Sequence, residues 1–132
     1  QPIEARLKAF PYLAEAILIG DQRKFISALV VPNFANLENH ARSHGIAFTN
    51  RTELVRAPAI VGLFAEFFAG INAELAQFER VKRFRLLDRE LQAAGGELTP
   101  SLKVKRSIVQ KTFAAEIDAM YAEPAPVGVG SL

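Results

Sequence analysis

A lysine set among cations, behind a glycine turn and a proline, is the residue of this sequence best suited to chemistry. Gly95-Gly96 permits a reversal of the chain. Pro100 holds the backbone extended and biases Thr99 away from helix, so Lys103 is expected on a loop. Between Glu97 and Glu116 stand Lys103, Lys105, Arg106 and Lys111, with no acid among them. Such a stretch suits a local anion site. The lysine ammonium is a compact charge on a flexible stem, able to follow a phosphate or carboxylate oxygen as charge develops there. The plain alternative is a solvated basic turn, the ordinary fate of a charge run.

The cations are concentrated in one region. The net charge is only +2, yet nine of the sixteen Lys and Arg fall within residues 80–111, against three acids. Cationic residues interleaved with Phe84 could track a nucleic-acid backbone. The modest net charge and the absence of an RNA-binding signature favour a smaller anion. A non-enzymatic module that binds anions or nucleic acid through 80–111 is the alternative function. His40 and His44 stand one helical turn apart, without the adjacent glutamate of a zinc-protease helix and without an evident third ligand, so no metal site is expected. The histidines occur only there, which leaves no serine–histidine–acid arrangement. Neither a Walker-type loop nor a dinucleotide-binding glycine pattern is present, so nothing in this stretch is expected to hold ATP alone.

The elements that must position Lys103 follow from periodicity. The length, 132 residues with half of them apolar, fits one domain with a single core. Pro2 begins a short helix over 2–9 that Pro11 stops. Ala16–Ile19 and Phe25–Val31 are β-rich apolar runs joined by Gly20–Lys24, which predicts a hairpin of mostly buried strands with both faces covered. Asn33 is placed to cap a helix over 33–44 that Gly45 ends, and Arg51–Val55 suits another turn. From Pro58, the residues Ile60, Phe64, Phe67, Phe68, Ile71, Leu75 and Phe78 step by threes and fours, predicting one long helix with its aromatic stripe in the core. Gly62 and Gly70 within it imply close packing. Val81–Leu87 alternates well enough for a third strand. Ser107 and Gln110 have capping-box spacing, and Val109, Phe113, Ile117 and Met120 share the face of a helix over 107–121. Residues 124–132 have no period and are expected to form a flexible tail after a domain spanning 1–123. The fold class is α+β: a small mixed or antiparallel sheet including the 16–31 hairpin, flanked by helices.

Absences add expectations. Zero cysteines exclude disulfides and thiolate metal sites. No apolar run approaches the roughly 20 residues of a spanning helix, and the start lacks a signal-peptide pattern, so a cytoplasmic setting is expected. The chain opens Gln1-Pro2-Ile3, and its only methionine is Met120, which suggests a portion upstream.

The stretch Leu98-Thr99-Pro100-Ser101-Leu102-Lys103-Val104-Lys105-Arg106 resembles the C-terminal lysine motif of adenylate-forming enzymes, in the version carried by long-chain fatty-acid–CoA ligases. Pro2-Ile3-Glu4, Glu15–Phe25, Ala28–Pro32, Asn72–Leu75, Phe78–Leu86 and Glu116–Tyr121 resemble the same ligases in the same order, as does a helical insertion at about 33–78. The resemblance implies the mobile C-terminal lid domain of an enzyme that joins a fatty acid to ATP, with magnesium, and passes the acyl group from the adenylate to coenzyme A. It implies that Lys103 is the adenylation lysine. It also implies an upstream adenylation domain in the same chain, which would leave this stretch inactive alone, and it leaves peripheral membrane association open. Arg23, Lys24, Lys105 and Arg106 are then candidates for contact with coenzyme A phosphates. Many relatives place glycine directly before the lysine, where this chain has Leu102, as is usual for the long-chain subgroup.

Overall fold

Two apolar runs set back to back across a short polar loop frame the molecule. β1 (Leu13–Ile19) and β2 (Ile26–Pro32) pair antiparallel, with Ile17 opposite Leu29 and Ile19 opposite Ser27. The computed structural model that gives these elements describes residues 2–132, apart from the side chains of Pro2 and Glu4. A register shift between Leu13 and Glu15 puts one extra residue into β1. Leu13 and Ile17 would share a face in a regular strand, but the bulge sends them to opposite faces, one into each core.

The helices follow their caps. After α1 (Pro2–Ala9), the Asn33 side chain accepts from Asn36 N at 3.1 Å to start α2 (Phe34–Ser43). Gly45 leaves α2 with φ +69°. Asn50 accepts from Glu53 N at 2.8 Å to start α3 (Arg51–Arg56), and Pro58 opens α4 (Pro58–Asn72). This helical stretch is the crossover that lets β3 (Val81–Leu86) lie parallel to β2. Then come α5 (Arg106–Thr112), α6 (Ala114–Tyr121) and β4 (Val129–Ser131), which completes a mixed sheet of order β1-β2-β3-β4.

The central strand β2 is buried on both faces. Ala28 and Val30 meet Phe34, Leu37, Leu54, Phe64 and Phe68 from α2–α4. Leu29 and Val31 meet Val109, Phe113, Ile117 and Met120 from α5 and α6. Each large side chain so buried contributes about 1.5–3 kcal/mol of transfer free energy, which makes β2 the strand from which both layers hang.

Four expectations are corrected. The long helix ends at Asn72, because the Asn72 amide turns to the sheet: its Nδ2 donates to Val81 O at 2.8 Å and its Oδ1 accepts from Val81 N at 2.9 Å. The chain beyond makes only a 3₁₀ turn over Gln77–Glu79, and Phe78, expected in the core, is 82% exposed. Gly62 faces open space rather than a close neighbour, whereas at Gly70 an added Cβ would lie 3.4 Å from Arg6. The final helix is two, broken at Phe113, and it starts after Lys105 without the expected side-chain cap from Ser107. Its apolar face is nevertheless continuous, since Val109, Phe113, Ile117 and Met120 all enter one core. Lastly, residues 124–132 are held rather than loose. β4 pairs with β3 at Arg83↔Ser131, Phe84↔Gly130 and Arg85↔Val129, and Leu132 N donates to Lys82 O at 2.8 Å. A three-residue strand with a glycine at its centre leaves no period in the sequence.

Candidate functional site

The lysine loop is closed on itself by its backbone. Leu98 and Val104 form an isolated antiparallel bridge. Thr99 N donates to Lys103 O at 2.8 Å, Leu102 N to Thr99 O at 2.8 Å, and Lys103 N to the Thr99 hydroxyl at 3.0 Å. Thr99 therefore binds the lysine's backbone from both sides, while Pro100 and Ser101 make the crown. Val104 reaches down to the core beneath α5 and α6. The Lys103 side chain stands in solvent, and among the described residues no carboxylate forms an ion pair with it. Leu102, just before it, has φ +66° with its side chain 70% exposed. That left-handed conformation is the one glycine adopts without cost, so a leucine there carries strain.

The root of the loop is an ion pair between a buried carboxylate and a half-buried guanidinium, which periodicity could not show. Glu97 is only 3% exposed, and its carboxylate accepts from Arg89 Nη1 at 2.9 Å, Arg89 Nη2 at 2.6 Å and Gln92 N at 2.9 Å. The Arg89 hydrogen bonds hold the Glu97 carboxyl below the ordinary carboxylate range against the opposing effect of burial, and in return they hold the Arg89 guanidinium above its ordinary value. Arg89 also lies over the Phe113 ring, 4.8 Å from its centroid, where α5 breaks from α6. The carbonyl of Glu97 accepts Lys105 N at 2.8 Å, so the same residue closes the loop's neck. The only signal in the sequence was an acid following Gly95-Gly96 in otherwise basic surroundings.

The other four predicted cations do not gather at one place: Arg23 and Arg106 share a hollow, and Lys24 and Lys105 lie elsewhere. Arg106 Nη2 donates to Leu18 O at 2.6 Å, tying α5 to β1. Arg23 lies 3.6 Å from Asp118 and 4.8 Å from the Tyr121 ring centroid. Both line a hollow of ≈ 720 Å³ with Gln110 and Lys111, beneath the hairpin loop. Lys24 turns instead to a hollow of ≈ 470 Å³ lined by Phe25, Phe78, Arg80 and Lys82, a grouping sequence reasoning missed because it counted Phe78 as core. Lys105 is exposed at the start of α5.

Several cations of the 80–111 run work inside the fold. Arg83 Nη1 donates to Met120 O at 3.1 Å and Ala122 O at 2.8 Å, Arg85 Nη1 to Val127 O at 3.1 Å, and Arg89 to Glu97. Arg83, Arg85 and Arg89 are therefore engaged within the domain and serve its packing. The rings of His40 and His44 stack 4.1 Å apart, and burial holds His40 below the ordinary histidine value, with His44 adding to the effect. Among the described residues, no group of three or more His, Cys, Asp or Glu side chains is placed to hold a metal ion. No helix of the described residues is long and apolar enough to cross a membrane.

This arrangement has counterparts in known proteins. The chain is 30% identical over 120 residues to the long-chain-fatty-acid–CoA ligase FadD15 of Mycobacterium tuberculosis, covering 90% of this chain and 20% of that one. It is 29% identical over 140 residues to the long-chain-fatty-acid–CoA ligase ACSBG1 of Rattus norvegicus, covering 92% of this chain and 19% of that one. This chain thus spans about one fifth of the length of these relatives. Its fold is similar to that within the adenylation and carrier didomain of the carboxylic acid reductase from Segniliparus rugosus, solved with AMP, at TM-score 0.67 and 20% identity over 92% of this chain and 16% of that one. The family model described as AMP-binding enzyme C-terminal domain matches residues 1–125, which take in β1 to β3, the crossover helices and the whole lysine loop. A presented lysine on this mixed-sheet scaffold and a match over nearly the full chain make it a member of the AMP-binding enzyme C-terminal domain family.

Proposed function

We propose that this chain is the lid of a fatty-acid–CoA ligase and that Lys103 is the lysine it supplies to adenylation. One observation carries the reading: an unpaired ammonium is raised on a loop whose backbone is closed at Thr99 and whose neck is pinned at Glu97. A cation so exposed is available to a substrate brought from outside this domain, as the names of the relatives suggest.

In the first step, an oxygen of the fatty-acid carboxylate attacks the α-phosphorus of ATP. The bond from that phosphorus to the bridging oxygen of pyrophosphate breaks, and pyrophosphate leaves with the electron pair. Two anions must approach each other, and the Lys103 ammonium between them offsets their repulsion and follows the charge toward the leaving group. Magnesium travels with ATP, and Lys103 is the charge this chain itself provides. In the second step, the coenzyme A thiol gives up its proton to solvent, its sulfur attacks the acyl carbon, and the bond from that carbon to the phosphate oxygen breaks, so that AMP leaves with the electron pair. The upstream portion of the enzyme holds the nucleotide and the acyl group, and the lid turns between the steps.

Coenzyme A carries a purine ring and several phosphates. The hollow around Phe78 offers a flat, exposed aromatic face with Lys24, Arg80 and Lys82 beside it. Stacking on an aromatic ring with cations alongside suits a nucleotide. Lys24 is thus the strongest of the four phosphate candidates. Arg23 and Arg106 already have partners within the fold, and Lys105 lies at the loop's neck.

The test uses the full-length enzyme. Lys103→Ala is expected to lower fatty-acid-dependent ATP–pyrophosphate exchange by about 100-fold or more, while thioester formation from supplied acyl-adenylate stays close to wild type. Unchanged exchange would overturn the assignment. Phe78→Ala is expected to raise KM for coenzyme A and leave exchange untouched.

A further inference from the structure

The Lys103 loop is irregular backbone that runs into α5 at Arg106, so α5 anchors only its outgoing arm and the incoming arm must be fixed by something else. Below the Leu98↔Val104 bridge, the one deeply buried charged group at the neck is Glu97. Its carboxylate is held on both oxygens by Arg89 and on one of them by Gln92 N, while its own carbonyl takes Lys105 N. Glu97 therefore grips both arms of the loop, and Gly96 at φ +80° makes the turn that brings it there.

Arg89 extends the register further. It stands three residues beyond the end of β3 and packs over Phe113, the residue at which α5 ends and α6 begins. Sheet, helix junction and loop neck meet at this single guanidinium. A bidentate pair fixes orientation as well as distance, because the planar fork must lie in the carboxylate plane. The same hydrogen bonds favour the charged form of both partners, so the pair stays ionised across the neutral range.

From this geometry we infer that Glu97 and Arg89 are positioning residues for adenylation: they set the reach and aim of Lys103 without touching substrate. The inference rests on the assignment of Lys103 as the adenylation lysine. Displacing a catalytic group by about 1 Å can cost on the order of 100-fold in rate, so a loosened neck is expected to act on turnover rather than on binding.

The experiment compares Glu97→Gln, Lys103→Ala and the double variant in the full-length enzyme, by ATP–pyrophosphate exchange and by thioester formation from supplied acyl-adenylate. Arg89→Lys, which keeps the charge but loses the fork, is the milder variant should Glu97→Gln fold poorly. The expected result is a 10- to 100-fold loss of exchange kcat in Glu97→Gln, with KM for ATP and fatty acid within about twofold and thioester formation within about twofold of wild type. In the double variant, exchange should match Lys103→Ala alone, since a residue acting through Lys103 has nothing left to act on. Equal losses in both half-reactions, or a further loss of exchange in the double variant, would overturn the positioning role. So would unchanged exchange in Glu97→Gln and Arg89→Lys alongside a collapse in Lys103→Ala. Unchanged exchange in Lys103→Ala itself would instead overturn the lysine assignment, and the positioning role with it.

Discussion

Gly130 lies directly on the ring of Phe84, so close that a Cβ added to it would come within 2.1 Å of Cε1 and 2.2 Å of Cζ. Phe84 is fully buried and faces Phe68, with ring centroids 5.2 Å apart, so it has no room to retreat. Glycine is therefore what lets β4 reach the sheet. Gly130→Ala is expected to detach β4 or force Phe84 off its rotamer, at a cost of about 1–3 kcal/mol. Urea unfolding measures the loss, and faster proteolysis in the region of Val127–Leu132 would show that the strand is what gave way. An unchanged midpoint with a protected tail would mean that the close approach is not maintained in solution.

Much of the frame was legible before any coordinates. Asn33, Gly45, Pro58 and the two apolar runs of the hairpin carry their signals locally, in caps, breakers and β-branched composition, and the elements they predict are present. What escaped depends on contacts distant in sequence. The end of α4 is decided by the Asn72 amide meeting Val81, and β4 is decided by a glycine fitting against Phe84. Lys103 could be singled out because Pro100 and the cations around it are neighbours in the chain. The Glu97–Arg89 root spans eight residues of irregular backbone with no period to betray it, and at Phe78 the hairpin-loop Lys24 joins Arg80 and Lys82, which lie far from it in sequence.

Leu102 pays a conformational cost for the loop's shape, since φ +66° is unfavourable for a side chain with a Cβ. With 70% of the side chain exposed, little burial repays it. Leu102→Gly is expected to leave the domain as stable or to stabilise it by up to about 1 kcal/mol, the relief of strain being partly offset by the freer unfolded chain. Leu102→Val, branched at Cβ, is expected to destabilise by about 1–2 kcal/mol although an exposed residue is replaced. Paired chemical denaturation of both variants checks the order. Equal stabilities for valine and glycine would show that the left-handed conformation is not kept.

Acid should loosen the loop's neck. The Glu97 carboxyl is held below its ordinary value near 4.5 by the Arg89 hydrogen bonds, so it stays ionised in the folded chain at pH values where the unfolded chain takes up a proton. Its stabilising contribution is therefore complete above the unfolded value and is lost as pH falls through the folded one. Glu53, lowered by hydrogen bonds from Thr49, acts in the same direction, whereas Glu15, raised mainly by burial, acts in the opposite one. The difference between wild type and Glu97→Gln isolates the first contribution. The variant is expected to lose stability less steeply below pH 4.5, as read from urea midpoints taken at intervals of pH. Identical slopes would show that the pair is not maintained.

Ser27 is the buried polar residue in the middle of the sheet, fully inaccessible, and its hydroxyl donates to Tyr121 Oη at 2.9 Å. Tyr121 in turn donates to Phe25 O at 2.7 Å, so the end of α6 is fastened to β2 through one phenol. Tyr121→Phe keeps the ring that stacks on Phe25 at 4.6 Å and lies under Arg23, and it removes only the hydroxyl. The Ser27 hydroxyl and the Phe25 carbonyl then each lose their partner, and the expected cost is about 1–3 kcal/mol. Ser27→Ala alone should cost less, because Tyr121 keeps its carbonyl acceptor. Combining the two removes the buried hydroxyl that Tyr121→Phe orphans, so the double variant should be more stable than the sum of the singles predicts, by about 0.5 kcal/mol or more. Strict additivity in a double-mutant cycle would mean that the two hydroxyls do not meet, leaving the end of α6 tied to the sheet by Arg83 and its apolar face.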